Sequence, residues 1–181
     1  MIEIPKLISR LKKLNRLSLG SNQLITLPSE ISGLKELTWL DFTHNRISSL
    51  PESFGELKSL TSLGASDCRL STFPAAICEL TNLRKLGLFN NLFSAIPPSI
   101  GNLVHLTKLD LSGNALTSLP DEICNLTELT WLNLSHNRLE NLPENLGKLT
   151  KLQELGLAHN RLKTLPDLSQ LNQLTLLPVY K

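Results

Sequence analysis

A leucine pattern that recurs every 23 residues constrains this chain more than any other feature of its sequence. Residues 106–114 read L-x-x-L-x-L-x-x-N, and the same frame begins again at Leu129 and earlier at Leu83. Self-similarity at a fixed period indicates a stack of equal supersecondary units, because no single unit can bury its own apolar residues. The frame predicts seven units, which begin at Leu14, Leu37, Leu60, Leu83, Leu106, Leu129 and Leu152.

Each unit is predicted to contain one short strand and a return segment. The alternation of Leu109 and Leu111 around Asp110 has the period of a strand with one buried face. Asn114 follows where the chain leaves the strand, and an inward amide there can satisfy backbone groups that the turn would bury. Pro120 suits the start of a return segment of one or two helical turns. The strands of successive units must be parallel, because every return path runs the same way.

The frame also divides the chain, which we expect to form a single domain over residues 1–181. Residues 1–13 match the second half of a unit, residues 14–173 hold the seven units, and residues 174–181 begin an eighth. The eighth unit would leave Leu174 and Leu177 exposed on a terminal strand. An unpaired apolar edge of this kind favours self-association.

Composition narrows the range of partners. The chain has 181 residues, 41% of them hydrophobic and 19% charged, and a net charge of +2. Such a balance is globular and argues against nucleic acid as the ligand, since phosphate backbones select for a basic surplus. No apolar run approaches the ~18 residues that span a bilayer, and the first residues lack a secretory signal. We therefore expect neither nucleic-acid binding nor membrane insertion.

The three cysteines, Cys68, Cys78 and Cys124, form no C-x-x-C pair. Cys78 and Cys124 hold the same frame position two units apart, roughly 10 Å by strand spacing, which is beyond the reach of a disulfide. Cysteine usage of this kind is typical of a reducing compartment, so we expect a cytoplasmic protein. The third unit has Cys68 in place of the inward Asn and Ala65 in place of a core Leu, which should leave a gap or draw its neighbours inward.

The positions marked x in the strand frame point away from the core onto the concave face of the stack. Both tryptophans, Trp39 and Trp131, fall on this face, and Phe89 does as well. They are placed alike because residues 36–46 return as residues 128–138, four units later. Exposed aromatic side chains on a rigid surface are frequent binding hot spots. Alternatively, the indole rings pack flat on neighbouring side chains and shield the sheet, with no role in binding.

Charged residues surround the tryptophans. Lys85 and Lys108 lie between them, with Asp41 and Asp110 nearby, which suits a protein surface of complementary charge. A solvated face with no partner would look much the same. The residues predicted to bind a partner are Trp39, Asp41, His44, Lys85, Phe89, Lys108, Asp110, Trp131, Asn133 and His136.

Catalysis is poorly supported by the sequence. No phosphate-binding glycine loop, H-E-x-x-H or G-x-S-x-G motif occurs. Asp41 and Asp110 would be three strands, roughly 14 Å, apart, which exceeds the separation of paired catalytic carboxylates. His136 and His159 lie on adjacent strands, but no further ligand completes a metal site. We therefore expect no catalytic residues, no metal and no cofactor.

The unit L-x-x-L-x-L-x-x-N, followed by Leu-Pro-x-x-Ile-x-x-Leu, resembles the intracellular leucine-rich repeats of Ras-interacting and Scribble-like proteins. Similar units occur in bacterial repeat proteins, in secreted bacterial effectors and beside the GTPase domain of Roco proteins. The resemblance implies an α/β fold, a right-handed solenoid arc with a parallel sheet on its concave face and short helical or extended segments on its convex face.

For function, the resemblance implies a non-catalytic module that binds a protein partner through the concave face. Two alternatives remain open. The chain could be a regulatory segment of a larger enzyme, such as a Roco-type GTPase or an effector ubiquitin ligase, in which case an effector would act in a host cytoplasm. It could also be a structural unit that associates with its own copies through uncapped ends.

Overall fold

A computed structural model describes residues 1–180 of the chain. Within this range, seven strands of three residues each form one parallel sheet in which every strand pairs with the next along the sequence. Equal frame positions pair directly, as in Leu86 with Leu109. The predicted solenoid with its parallel sheet is confirmed. The strands are β1 (Arg16–Ser18), β2 (Trp39–Asp41), β3 (Ser62–Gly64), β4 (Lys85–Gly87), β5 (Lys108–Asp110), β6 (Trp131–Asn133) and β7 (Glu154–Gly156).

The return segments form single turns of 3-10 helix on the opposite side of the core. Each follows a proline in extended conformation, such as Pro120 at φ −71° and ψ 148°. The predicted helical return segments are therefore present. The part of the chain after β7 that the structure describes forms no such helix, and its unit is one residue shorter. The helices are Lys6–Arg10, Ser29–Gly33, Glu52–Glu56, Ala75–Glu79, Pro98–Asn102, Asp121–Asn125 and Glu144–Lys148.

The core is a column of apolar side chains enclosed between the sheet and the helices. Leu109 and Leu111 from β5 and its exit are fully buried, as are Ile123 and Leu126 from the return segment. Burial of each such side chain contributes about 1.5–3 kcal/mol. Because every unit repeats these positions, each layer of the column covers the next, and the stabilisation accumulates along the stack.

The inward asparagines link successive units through their amides. Asn137 Nδ2 donates to the carbonyl oxygens of Leu111 and Leu134 at 3.0 Å each, and Asn137 Oδ1 accepts the backbone N–H of Leu116 at 3.0 Å. The predicted role of these amides is confirmed, since they satisfy backbone groups at the turn. Asn114 makes the corresponding donations, but its buried Oδ1 accepts no hydrogen bond from the described residues.

The third unit accommodates its small core residue beside a large one. Ala65 is fully buried, and Phe42 holds the same frame position in the unit before it. The ring of Phe42 packs edge-on against that of Phe54, with centroids 6.4 Å apart. Cys68 is buried in place of the inward Asn and lies 3.5 Å from the carbonyl oxygen of Phe42. A large residue and a small one therefore share this part of the core.

Residues 175–180 extend the sheet pattern beyond β7. The backbone N–H of Leu155 donates to Leu176 O at 3.0 Å, and the N–H of Leu157 donates to Pro178 O at 2.9 Å. The expectation that Leu174 and Leu177 are exposed is wrong, since both are half-buried against the core because they hold core positions of the frame. The exposed apolar side chains here are Leu176, Val179 and Tyr180. Lys181, the end of the predicted partial unit, lies outside the described residues.

Candidate functional site on the concave face

The third position of each strand frame forms a continuous row across the concave face. The register pairs Trp39 with Ser62, Lys85 with Lys108, and Lys108 with Trp131. Both tryptophans are half-buried, and neither is part of the buried core. The assignment of core and concave positions made from the frame therefore matches the structure.

Each indole contacts a charged residue on the neighbouring strand, on the side of the nearer end of the sheet. The Arg16 guanidinium carbon lies 5.0 Å from the centroid of the Trp39 ring, which is a cation–π contact. Trp131 Nε1 donates to Glu154 Oε2 at 2.9 Å. These contacts restrain the rings, so less side-chain freedom is lost when a partner binds. Sequence reasoning did not single out Arg16 or Glu154, although both occupy the same frame position as the tryptophans.

Between the tryptophans lies a shallow cleft of about 250 Å³. The carboxylate of Asp41 lies over Gly64, and Gly64 and Gly87 form part of the floor of the cleft. Sequence reasoning also missed Gly64 and Gly87, although glycine at the fifth frame position of two adjacent units could be read from the sequence. The cleft unites six of the predicted binding residues, namely Trp39, Asp41, Lys85, Lys108, Asp110 and Trp131.

Lys85 and Lys108 lie side by side in this cleft. They pair directly in the register of β4 and β5, and both side chains are exposed. Like charges on directly opposed residues repel each other. Among the described residues, neither lysine forms an ion pair. Their ammonium groups are therefore available to a ligand.

The polar residues at the fifth frame position bond to their own strand ends. Asp41 Oδ1 accepts the N–H of Thr43 at 3.0 Å, and Asn133 Oδ1 accepts the N–H of Ser135 at 3.1 Å. Asp110 accepts the N–H and the hydroxyl of Ser112 in the same way. These side chains help to shape the exit from the strand, which sequence reasoning did not anticipate.

The eighth frame position explains the two predicted histidines in part. Each residue there has a left-handed backbone, as in His44 (φ 57°) and His136 (φ 55°). This conformation favours Gly, Asn, Asp and His. The row reads Ser, His, Asp, Asn, Gly, His, His, so the signal was present in the sequence. His44 lies 3.3 Å from Asp67 Oδ2, and the ring of His136 stacks on His159 with centroids 4.2 Å apart.

Three predicted binding residues lie outside the cleft towards the carboxyl ends of the strands. They are His44, His136 and Phe89, of which Phe89 is 38% exposed. Phe89 lies over Gly113, where an added Cβ would come within 3.1 Å of its ring. Asn133 borders a second depression on the far side of Trp131, which Glu154 and Leu176 also line.

Residues 1–180 contain no cluster of three or more His, Cys, Asp or Glu side chains placed to hold a metal. Over the same range, no helix has the length and apolar character needed to cross a bilayer.

The family of this chain follows from comparison with known proteins. A model of the leucine-rich repeat region matches residues 3–88 and 72–180. The chain belongs to the leucine-rich repeat family. No curated protein matches it in sequence.

Solved structures of other leucine-rich repeat proteins share this fold. One from Leptospira interrogans is 36% identical, with a TM-score of 0.76, and the match covers 98% of this chain and 52% of that chain. An internalin from Listeria monocytogenes is 24% identical, with a TM-score of 0.83 and coverages of 97% and 50%. The ectodomain of the Arabidopsis thaliana receptor kinase GASSHO1/SCHENGEN3, solved in complex with CASPARIAN STRIP INTEGRITY FACTOR 2, is 30% identical, with a TM-score of 0.80 and coverages of 97% and 25%.

This leucine-rich repeat chain thus spans about half the length of the first two structures and a quarter of the third. Leucine-rich repeat domains are generally non-catalytic modules that bind other proteins.

Proposed function

We propose that this protein is a non-catalytic interaction module that binds a protein partner through the cleft between Trp39 and Trp131. The observation that carries the proposal is the arrangement of the two indoles. Both are partly exposed, both are restrained by outer neighbours, and they border a shallow cleft whose floor includes Gly64 and Gly87. Rigid aromatic groups around an accessible floor provide the anchors typical of protein interfaces.

The dimensions of the cleft favour a protein segment over a small ligand. Trp39 and Trp131 stand four strands apart, which is roughly 19 Å at the usual strand spacing. The volume between them, about 250 Å³, is small for that length, so the cleft is long and shallow. Small molecules favour deeper pockets that enclose most of their surface. A loop or an extended segment could contact both indoles at once.

Four of the predicted residues would contribute at the edge of this interface, namely His44, Phe89, Asn133 and His136. We expect each of them to contribute less than the indoles, since rim contacts are generally weak. Asp41 and Asp110 line the cleft itself, but their carboxylates already accept hydrogen bonds from the backbone at the ends of their own strands.

We further propose that the partner is met in a reducing compartment such as the cytoplasm. The support is that all three thiols, Cys68, Cys78 and Cys124, are free and buried. We also propose that the module acts without catalysis, on the ground that its concave face presents anchoring groups for a partner.

Alanine substitution of both tryptophans tests the proposed surface. A partner obtained with this domain in an interaction screen is titrated against the wild-type chain and against Trp39→Ala/Trp131→Ala. We expect the affinity to fall by more than ~2 kcal/mol, roughly thirtyfold, because two anchors are removed.

The matched control truncates two exposed apolar residues elsewhere, in Ile25→Ala/Val104→Ala. These side chains are 55% and 44% exposed and do not line the cleft. The control should bind like the wild type. Equal affinity of the tryptophan variant and the wild type would exclude the cleft as the binding surface.

A further inference from the structure

A second row of side chains crosses the stack at the carboxyl edge of the sheet. It is formed by the residue that follows the inward Asn, or Cys68, in each of units two to seven. We name this row the edge ridge. Its members are Arg46, Arg69, Leu92, Ala115, Arg138 and Arg161. Two arginine pairs therefore flank an apolar centre.

The backbone holds the edge ridge in a fixed order. Arg46 N–H donates to Leu24 O at 2.8 Å, and Arg138 N–H donates to Leu116 O at 2.8 Å. The other four members make equivalent bonds to the unit before them. The ridge thus follows the spacing of neighbouring strands, and the two arginine pairs are four strands, roughly 19 Å, apart.

The arginines on the ridge are exposed and unpaired. None of the four enters an ion pair with the residues that the structure describes. The two nearest carboxylates in the frame already have partners. Asp67 contacts His44 and the amide of Asn90, and Glu140 Oε2 accepts from Lys163 Nζ at 2.9 Å. The ridge therefore retains positive charge at both ends.

The first arginine pair faces an accessible depression. Arg46, Arg69, His44 and Asp67 line it together with Leu92, and its volume is about 650 Å³. This shows that the eighth and tenth frame positions share one surface. The same positions near the other end of the ridge hold Arg138 and Arg161 beside the stacked rings of His136 and His159. No member of that second set is acidic.

We propose that the edge ridge binds an extended acidic peptide segment, with one cluster of carboxylates at each arginine pair. Guanidinium groups bind carboxylates through paired hydrogen bonds, and two linked contacts reinforce each other. An extended chain rises about 3.3 Å per residue, so about six residues span the ~19 Å between the pairs. Leu92, 61% exposed, would contact an apolar residue of the segment between the acidic clusters.

The test uses a fluorescein-labelled peptide, Glu-Glu-Ser-Leu-Ser-Ser-Glu-Glu, and fluorescence anisotropy at low ionic strength. The wild-type chain should bind it, and added salt should weaken binding because exposed charges are screened. A peptide with Gln in place of Glu should bind at least about tenfold more weakly. A peptide with all four Glu residues at one end should also bind more weakly, because it cannot reach both pairs. Equal affinity of either peptide would overturn the proposal, and these comparisons require no protein variant.

Protein variants then locate the site. Arg46→Gln/Arg69→Gln and Arg138→Gln/Arg161→Gln should each reduce affinity about tenfold, since one of two linked contacts is lost. The matched control, Lys13→Gln/Lys148→Gln, removes the same charge from exposed lysines outside both the cleft and the edge ridge and should bind almost as the wild type. Unchanged binding by both arginine variants, or an equal loss in the lysine control, would overturn the proposal. The ridge is separate from the cleft, so neither result decides the proposed function.

Discussion

Asn114 and Asn137 hold the same frame position but use their amides differently. Both donate from Nδ2 to carbonyl oxygens of their own unit and of the preceding one. Asn137 Oδ1 also accepts the N–H of Leu116, whereas Asn114 Oδ1 has no partner among the described residues. The frame predicted both residues as turn amides but could not distinguish their acceptors, because both are Asn at the same frame position.

This difference gives a matched pair of substitutions. Asn137→Ala should lower the free energy of unfolding by about 1–3 kcal/mol more than Asn114→Ala does, because it alone leaves a buried N–H unsatisfied. Urea unfolding of the two variants and the wild type measures the difference. Equal losses would show that the bond to Leu116 contributes nothing to stability.

The buried thiols give the stability a dependence on alkaline pH. Burial raises the pKa of the Cys68 thiol to about 11 and also raises the pKa of Cys78 and of Cys124. The folded chain therefore holds its thiol protons at a pH where the unfolded chain has lost them. Stability from this source is complete below the thiol pKa of the unfolded chain, about 8.5, and declines as pH rises towards the raised folded value.

Cys68→Ala isolates the largest of these effects. Between about pH 8 and pH 10 the wild type should lose about 2 kcal/mol more stability than Cys68→Ala, whose residue 68 cannot ionise. Urea unfolding at both pH values, on both proteins, gives the comparison. Identical pH dependence in the two proteins would mean that the Cys68 thiol ionises equally in the folded and unfolded chains.

At the scale of the element, the strand and its return segment follow from apolar spacing alone. The alternation that places Leu109 and Leu111 inside also places Trp131 and Lys108 outside, so six residues of the cleft could be predicted. The sequence could not show that Asp41 bonds to the N–H of Thr43, because that bond depends on how the chain leaves the strand. The left-handed backbone conformation at this exit, as at His44, could be recognised in the sequence only from the residue types at the eighth frame position.

The pairing of Phe42 with Ala65 is an element-scale property that can be tested. Ala65→Leu alone should destabilise the chain by about 1–3 kcal/mol, because added methylene groups would enter a filled layer. Adding Phe42→Leu should recover part of that loss, since a smaller neighbour makes room. A double-mutant cycle from thermal or urea unfolding measures the coupling. Additive losses would show that the two side chains do not share a layer.

At the scale of the whole molecule, each unit packs only on its neighbours. Such stacks expose a sheet edge at each end, and here residues 175–180 present Leu176, Val179 and Tyr180. Self-association through this edge remains a proposal supported by these exposed side chains. The sequence predicted an apolar terminal edge with Leu174 and Leu177 exposed, but these leucines hold the first and fourth frame positions, which point into the core, and Leu176 at the third position is exposed instead.

Light scattering across protein concentration tests this proposal. The apparent mass should rise with concentration for the wild type, and Leu176→Lys/Tyr180→Lys should abolish the rise, because charged edge residues oppose pairing. The matched control, Ile25→Lys, replaces an exposed apolar residue away from this edge and should behave as the wild type. A constant monomer mass for the wild type would contradict end-to-end association.

Both tryptophans are proposed to belong to one partner-binding cleft. The chain contains two tryptophans, so incorporation of 5-fluorotryptophan gives two ¹⁹F resonances, which Trp39→Phe and Trp131→Phe assign. We predict that a saturating amount of a partner obtained with this domain shifts both resonances. An unlabelled control protein that does not bind this domain should shift neither resonance. If a bound partner leaves both resonances where they are in the free protein, the cleft is not the binding surface.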